Sequence, residues 1–88
     1  MTDKEFLKKM QELEIPKEWY NINEEKNPTN YVVKKYRDNF AFLFLEDGKM
    51  VDLKIFKLKK EALDHLCESI LLDLNQIMES EYLLRKHM

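Results

Sequence analysis

Eighty-eight residues allow one hydrophobic core and exclude two, because a chain this short buries only about 60–65% of the surface its unfolded form exposes. With 44% apolar and 36% charged residues, the composition supports a single folded domain over 1–88 and argues against disorder. A net charge of −2 disfavours general nucleic-acid binding, which needs a basic surface.

Charge is unevenly distributed. Residues 32–60 hold eight Lys/Arg against four Asp/Glu, whereas residues 61–84 hold six acids and neither Lys nor Arg. An acidic helical face of this kind attracts a basic protein, though such runs also serve simply as solvated surface. No apolar run approaches the roughly 20 residues that span a bilayer, and Met1-Thr2-Asp3-Lys4-Glu5 lacks the basic-then-apolar pattern of a secretory signal. A lone cysteine, Cys67, forms no internal disulfide and agrees with a reducing compartment. These features predict a cytoplasmic protein with no membrane partner.

Thr2 and Glu5 have capping-box spacing, and Phe6, Leu7, Met10 and Leu13 recur at helical spacing behind them, predicting a first helix that ends by Ile15-Pro16. Trp19, Tyr20 and Ile22 then form a short extended piece before a polar loop from Asn23 to Asn30. Three strand-like runs follow, Tyr31–Arg37, Phe40–Glu46 and Met50–Lys57, separated by the turn pairs Asp38-Asn39 and Asp47-Gly48.

A two-residue Asp47-Gly48 loop sets Glu46 opposite Lys49. An unbroken ladder then places Phe44 by Val51, Phe42 by Leu53 and Phe40 by Ile55, six apolar residues on one predicted core face. Ala41, Leu43 and Leu45 make the middle run apolar on its other side as well, so that strand is expected to be central with its second face partly covered.

From Lys59 to about Leu84 the period is helical again, through Leu63, Cys67, Ile70, Leu74 and Ile77. Such a helix is about 39 Å long against about 23 Å for a seven-residue strand, so it either overhangs the sheet or breaks. Ile77, Met78, Tyr82, Leu83 and Leu84 are then candidates for a homodimer or docking contact, or they fold back on the first helix. The predicted fold is α+β: an N-terminal helix, a three- to four-stranded antiparallel meander, and a long C-terminal helix packed on one face.

Chemistry has little foothold. Asp64, His65, Cys67 and Glu68 cluster in sequence, but positions two apart on a helix point to different sides, so His65 and Cys67 do not form a dyad. Cys67 falls on the apolar seam and reads as a core residue. A zinc site needs three or four suitably spaced ligands, and the second histidine, His87, is terminal. Ser69 and Ser80 lack the strand-turn context of an activated serine, and Gly48 alone makes no phosphate loop. The expectation is a non-enzyme with no cofactor and no metal.

The segment Ile15-Pro16-Lys17-Glu18-Trp19-Tyr20-Asn21-Ile22, the strand Phe40 to Lys49, Asp52-Leu53-Lys54-Ile55-Phe56 and Glu61-Ala62-Leu63 together resemble a family of small bacterial immunity proteins that accompany polymorphic toxins. The resemblance covers roughly residues 3–66. Where that family favours Ser-Glu-Glu before the last helix, this chain has Leu58-Lys59-Lys60, a poor cap set against the helix dipole. The resemblance implies stoichiometric neutralisation of a cognate toxin domain in the producer's cytoplasm, without turnover. Such binding uses aromatic anchors and complementary charge. Trp19, Tyr20 and Tyr36 are the candidate anchors, with Glu24, Glu25, Glu46 and Asp47 as acidic neighbours. Trp19 and Tyr20 alternatively close the end of the core, and Glu46 and Asp47 alternatively serve only the turn. A small adaptor, chaperone or structural subunit that self-associates through the C-terminal helix is the alternative function.

Overall fold

Helix α1 (Asp3–Glu12) opens as its first residues require: Glu5 N–H donates to Thr2 Oγ1 at 3.2 Å and Thr2 N–H donates to Glu5 Oε1 at 3.0 Å. Those bonds to Thr2 hold the Glu5 carboxyl below its ordinary value. The computed structural model describes residues 1–22 and 30–86, with side chains as far as Ile77. The helix closes before Pro16, in a Schellman motif. Ile15 N–H donates to the Met10 carbonyl at 2.9 Å and Glu14 N–H to the Gln11 carbonyl at 3.1 Å, with Glu14 left-handed at φ +56°. Only glycine adopts that conformation freely, so Glu14→Gly is expected to raise stability by about 0.5–1 kcal/mol in urea denaturation. A destabilised variant would contradict the motif.

After a 3₁₀ turn over Lys17–Trp19 come β1 (Tyr20–Asn21), β2 (Tyr31–Tyr36), β3 (Asn39–Glu46) and β4 (Lys49–Phe56), forming one sheet in the order β1-β2-β3-β4. Most of it is the expected antiparallel meander. The exception is β1, which pairs parallel with β2 and makes the sheet mixed. Strand β3 is central, as its two apolar faces require.

Two details of register differ from the sequence reading. The β2–β3 loop is Arg37-Asp38, not Asp38-Asn39, with Arg37 at φ +56° and Tyr36 opposite Asn39. Moving the loop by one residue slides the ladder by two, which sets Tyr31 against Phe44 instead of Glu46 and Val33 against Phe42. Both are apolar cross-strand pairs, and they decide the register.

In the second hairpin Asp47 (φ +52°) and Gly48 (φ +77°) form the expected two-residue loop, and Glu46 lies opposite Lys49. A bulge then shifts the register between Phe44 and Leu45. Beyond it Phe44, Phe42 and Phe40 stand opposite Asp52, Lys54 and Phe56, while Leu43 and Ala41 stand opposite Leu53 and Ile55. The expected pairs with Val51, Leu53 and Ile55 are thus replaced, since one extra residue turns the rest of β4 over. The exchange brings Phe56 to the helix side and gives the apolar rear of β3 apolar neighbours.

Helix α2 (Lys59–Lys86) crosses the front of the sheet beside α1. Phe6 and Met10 of α1, Val33 and Phe42 of the sheet, and Leu63, Leu66 and Ile70 of α2 are the largest fully buried side chains. The basic start of α2 is offset from outside: Lys59 Nζ pairs with Asp3 Oδ2 at 2.8 Å, and the Met1 ammonium pairs with Asp64 Oδ1 at 2.6 Å. Neither pair is deeply buried, and each contributes at most about 1 kcal/mol.

The last helix neither breaks nor folds back. Its 28 residues extend about 42 Å, against about 27 Å for the eight-residue β3, and the radius of gyration of 14.2 Å exceeds the about 12 Å of a compact chain this size. Leu72 and Ile77 are exposed on the overhang; the side chains of Met78, Tyr82, Leu83 and Leu84 lie outside the described residues. Among the described residues no helix is long and apolar enough to cross a membrane.

Candidate functional site

The overhang of α2 creates a groove. Up to Ile70 the helix seats Leu63, Leu66, Cys67 and Ile70 in the core. Leu71 and Leu74 continue that packing, and beside them Ser69, Asp73 and Gln76, at spacings of four and three that share one helix face, border the groove. These polar residues stand over Tyr31, Phe42 and Phe44, and Asp52 of β4 borders the same space of about 250 Å³. The floor is a stack of tilted rings, with Tyr31 5.1 Å from Phe44 and 6.4 Å from Phe42 between centroids.

Electrostatically the groove suits a cation. Burial raises the Asp73 carboxyl above its ordinary value, and a positive group arriving beside it would oppose that shift by favouring the carboxylate. Asp52 Oδ1 accepts the Leu53 N–H at 2.9 Å, leaving its second oxygen for another donor. Tyr31 and Phe42 are buried and Phe44 is half-buried, so Phe44 is the floor ring within reach of an ammonium or guanidinium. Ser69 is occupied, its Oγ donating to the His65 carbonyl at 2.9 Å.

His65 and Cys67 diverge, as their spacing dictates. Cys67 is buried in the core, and burial pushes its thiol up; the His65 ring stands edge-on to Phe42 at 4.5 Å and 5.5 Å from Phe56. Burial, and then the Lys54 cation, hold the imidazole below its ordinary value, partly opposed by Asp52 and Glu68. A histidine depressed in this way takes up its proton more readily when unfolded. Its contribution is therefore complete above the ordinary value of 6.5 and declines as pH falls through 6.5 toward the lower folded value. Thermal denaturation is expected to show a lower Tm at about pH 5.5 than at about pH 7.5, and His65→Gln to remove part of that drop. An identical pH profile in the variant would contradict the assignment.

The residues singled out from sequence do not form one patch. Trp19 and Tyr20 are half-buried against the core, Tyr20 making an edge-to-face contact with Phe6 at 5.2 Å. Tyr20 also lines a second cleft of about 590 Å³ with Leu7, Gln11, Ile15 and Pro16, and burial raises its phenol. Tyr36 is exposed, with the Arg37 guanidinium 5.4 Å from its ring centre. Glu46 and Asp47 are exposed at the opposite end of β3, about 24 Å away along the strand. Glu24 and Glu25 lie outside the described residues.

Sequence reasoning missed Asp52, Asp73 and Gln76. The available signal was the polar run Ser69, Asp73, Gln76 at four- and three-residue spacing alongside the apolar stripe. Among the described residues, no three His, Cys, Asp or Glu side chains gather as a metal-holding group. Compared with known proteins, the chain matches no family model, no curated protein and no solved structure.

Proposed function

We propose that the chain is a protein-binding domain that neutralises a bacterial toxin domain stoichiometrically, taking a lysine or arginine of its partner into the groove beneath α2. The observation that carries this reading is the pairing of an aromatic floor, Tyr31, Phe42 and Phe44, with the carboxylates Asp52 and Asp73. Such a surface offers a protruding basic side chain the half-buried ring of Phe44 and two anions at once. The resemblance of residues 3–66 to immunity proteins supplies the identity of the partner class, and the binding takes place in the cytoplasm of the toxin's producer.

An immunity protein is encoded beside its toxin. Cells producing the product of the adjacent gene are expected to survive when this chain is co-expressed, and Asp73→Lys is expected to reduce the survivors by about tenfold or more, because it sets a like charge against the incoming cation. Killing that is equal with and without the chain overturns the toxin assignment. Full protection by Asp73→Lys moves the contact out of the groove.

A further inference from the structure

Strand β4 ends the sheet, and among the described residues nothing pairs with its outer edge. Met50, Val51, Leu53 and Ile55 are 46–58% exposed along it. A long apolar edge without proline is a template for another strand. The Leu53 amide donates to the carboxylate of Asp52 at 2.9 Å, a side chain standing in where a neighbouring strand would supply a carbonyl.

The sequence of this edge is complementary to itself. In an antiparallel pairing with the two-fold axis at Leu53, Leu53 meets its own counterpart, Val51 meets Ile55, and Asp52 meets Lys54, the last two pairs each occurring twice. Directly opposed residues share a face, so the ion pairs lie on the helix side, with Leu53 and Ile55 on the rear. That division matches the one β3 imposes, where Asp52 and Lys54 stand beside Phe44 and Phe42, and Leu53 and Ile55 beside Leu43 and Ala41. Moving the axis to Asp52 or to Lys54 sets like charges face to face. Axes at Val51 or Ile55 pair neither charge with its opposite, so among these registers the one at Leu53 is favoured by charge.

We propose that the chain forms a two-fold dimer by antiparallel pairing of β4 with β4 of a second copy, joining two four-stranded sheets into one of eight strands. Asp52 borders both this interface and the groove, so the dimer is tested by the oligomeric state of the chain alone, with no toxin domain present. One strand pair is small by the standards of stable dimers, so the association is expected to be weak and reversible.

Sedimentation equilibrium of the full chain over about 1–200 µM is expected to show reversible dimerisation. Leu53→Lys, which opposes two ammonium groups at the axis, and Asp52→Lys, which opposes each to Lys54, are each expected to weaken it by about tenfold or more. Combining Asp52→Lys with Lys54→Asp restores the complementarity and is expected to restore the dimer, a recovery that mere damage to the fold would not produce. A monomer throughout the range, a dimer indifferent to Leu53→Lys and Asp52→Lys, or one abolished by Ile77→Lys while Leu53→Lys leaves it intact, overturns the proposal.

Discussion

Replacing Phe42 with alanine is expected to lower the unfolding free energy by about 3–5 kcal/mol, measured by urea denaturation at neutral pH. Phe42 is 1% exposed and lies at the meeting point of every layer: Val33 stands beside it on β2, Tyr31 and His65 face its ring, and α2 covers it. Truncation removes the transfer energy of the ring and leaves a cavity that rigid strands on both sides do not close. A domain of this size holds only about 5–10 kcal/mol in total, so the variant is expected to be largely unfolded at 37 °C. A loss below about 1 kcal/mol would contradict the assigned core face of β3.

The second large effect separates the two halves of α2. Leu66 is fully buried, whereas Ile77, eleven residues on, is 46% exposed on the overhang. Leu66→Ala is expected to cost about 2–5 kcal/mol, and Ile77→Ala to stay within about 0.5 kcal/mol. Equal losses at the two positions would mean that the outer half of the helix also packs on the domain, which would close the groove.

The elements themselves were legible because local chemistry agrees with the tertiary fold at each of them. The Thr2–Glu5 capping box starts α1, Asp47-Gly48 turns the second hairpin, and the alternation of Phe40, Phe42 and Phe44 marks the side on which the helices pack. The poor cap at Leu58-Lys59-Lys60 did not prevent α2, because Asp3 from another helix supplies the anion that the sequence next to Lys59 lacks.

Register was less legible. A bulge adds one residue to one strand, and Met50, Val51, Leu53 and Ile55 satisfy an apolar surface on either face, so the hydrophobic pattern does not reveal the shift. The two-residue β1 is equally silent, since Tyr20 and Asn21 carry no strand periodicity. The groove was out of reach for a related reason. Tyr31, Asp52 and Asp73 come from three elements and meet only after the sheet has formed and α2 has run past it.

The most direct test titrates the purified domain with the product of the adjacent gene, the proposed toxin, followed by calorimetry. A 1:1 complex is the expected result, with a negative heat-capacity change from the apolar surface the two proteins bury and an affinity about tenfold or more lower for Asp73→Lys. Absence of binding by the unaltered chain, or a complex whose affinity is the same with Asp73→Lys, would contradict the proposal that this groove is where the partner is held.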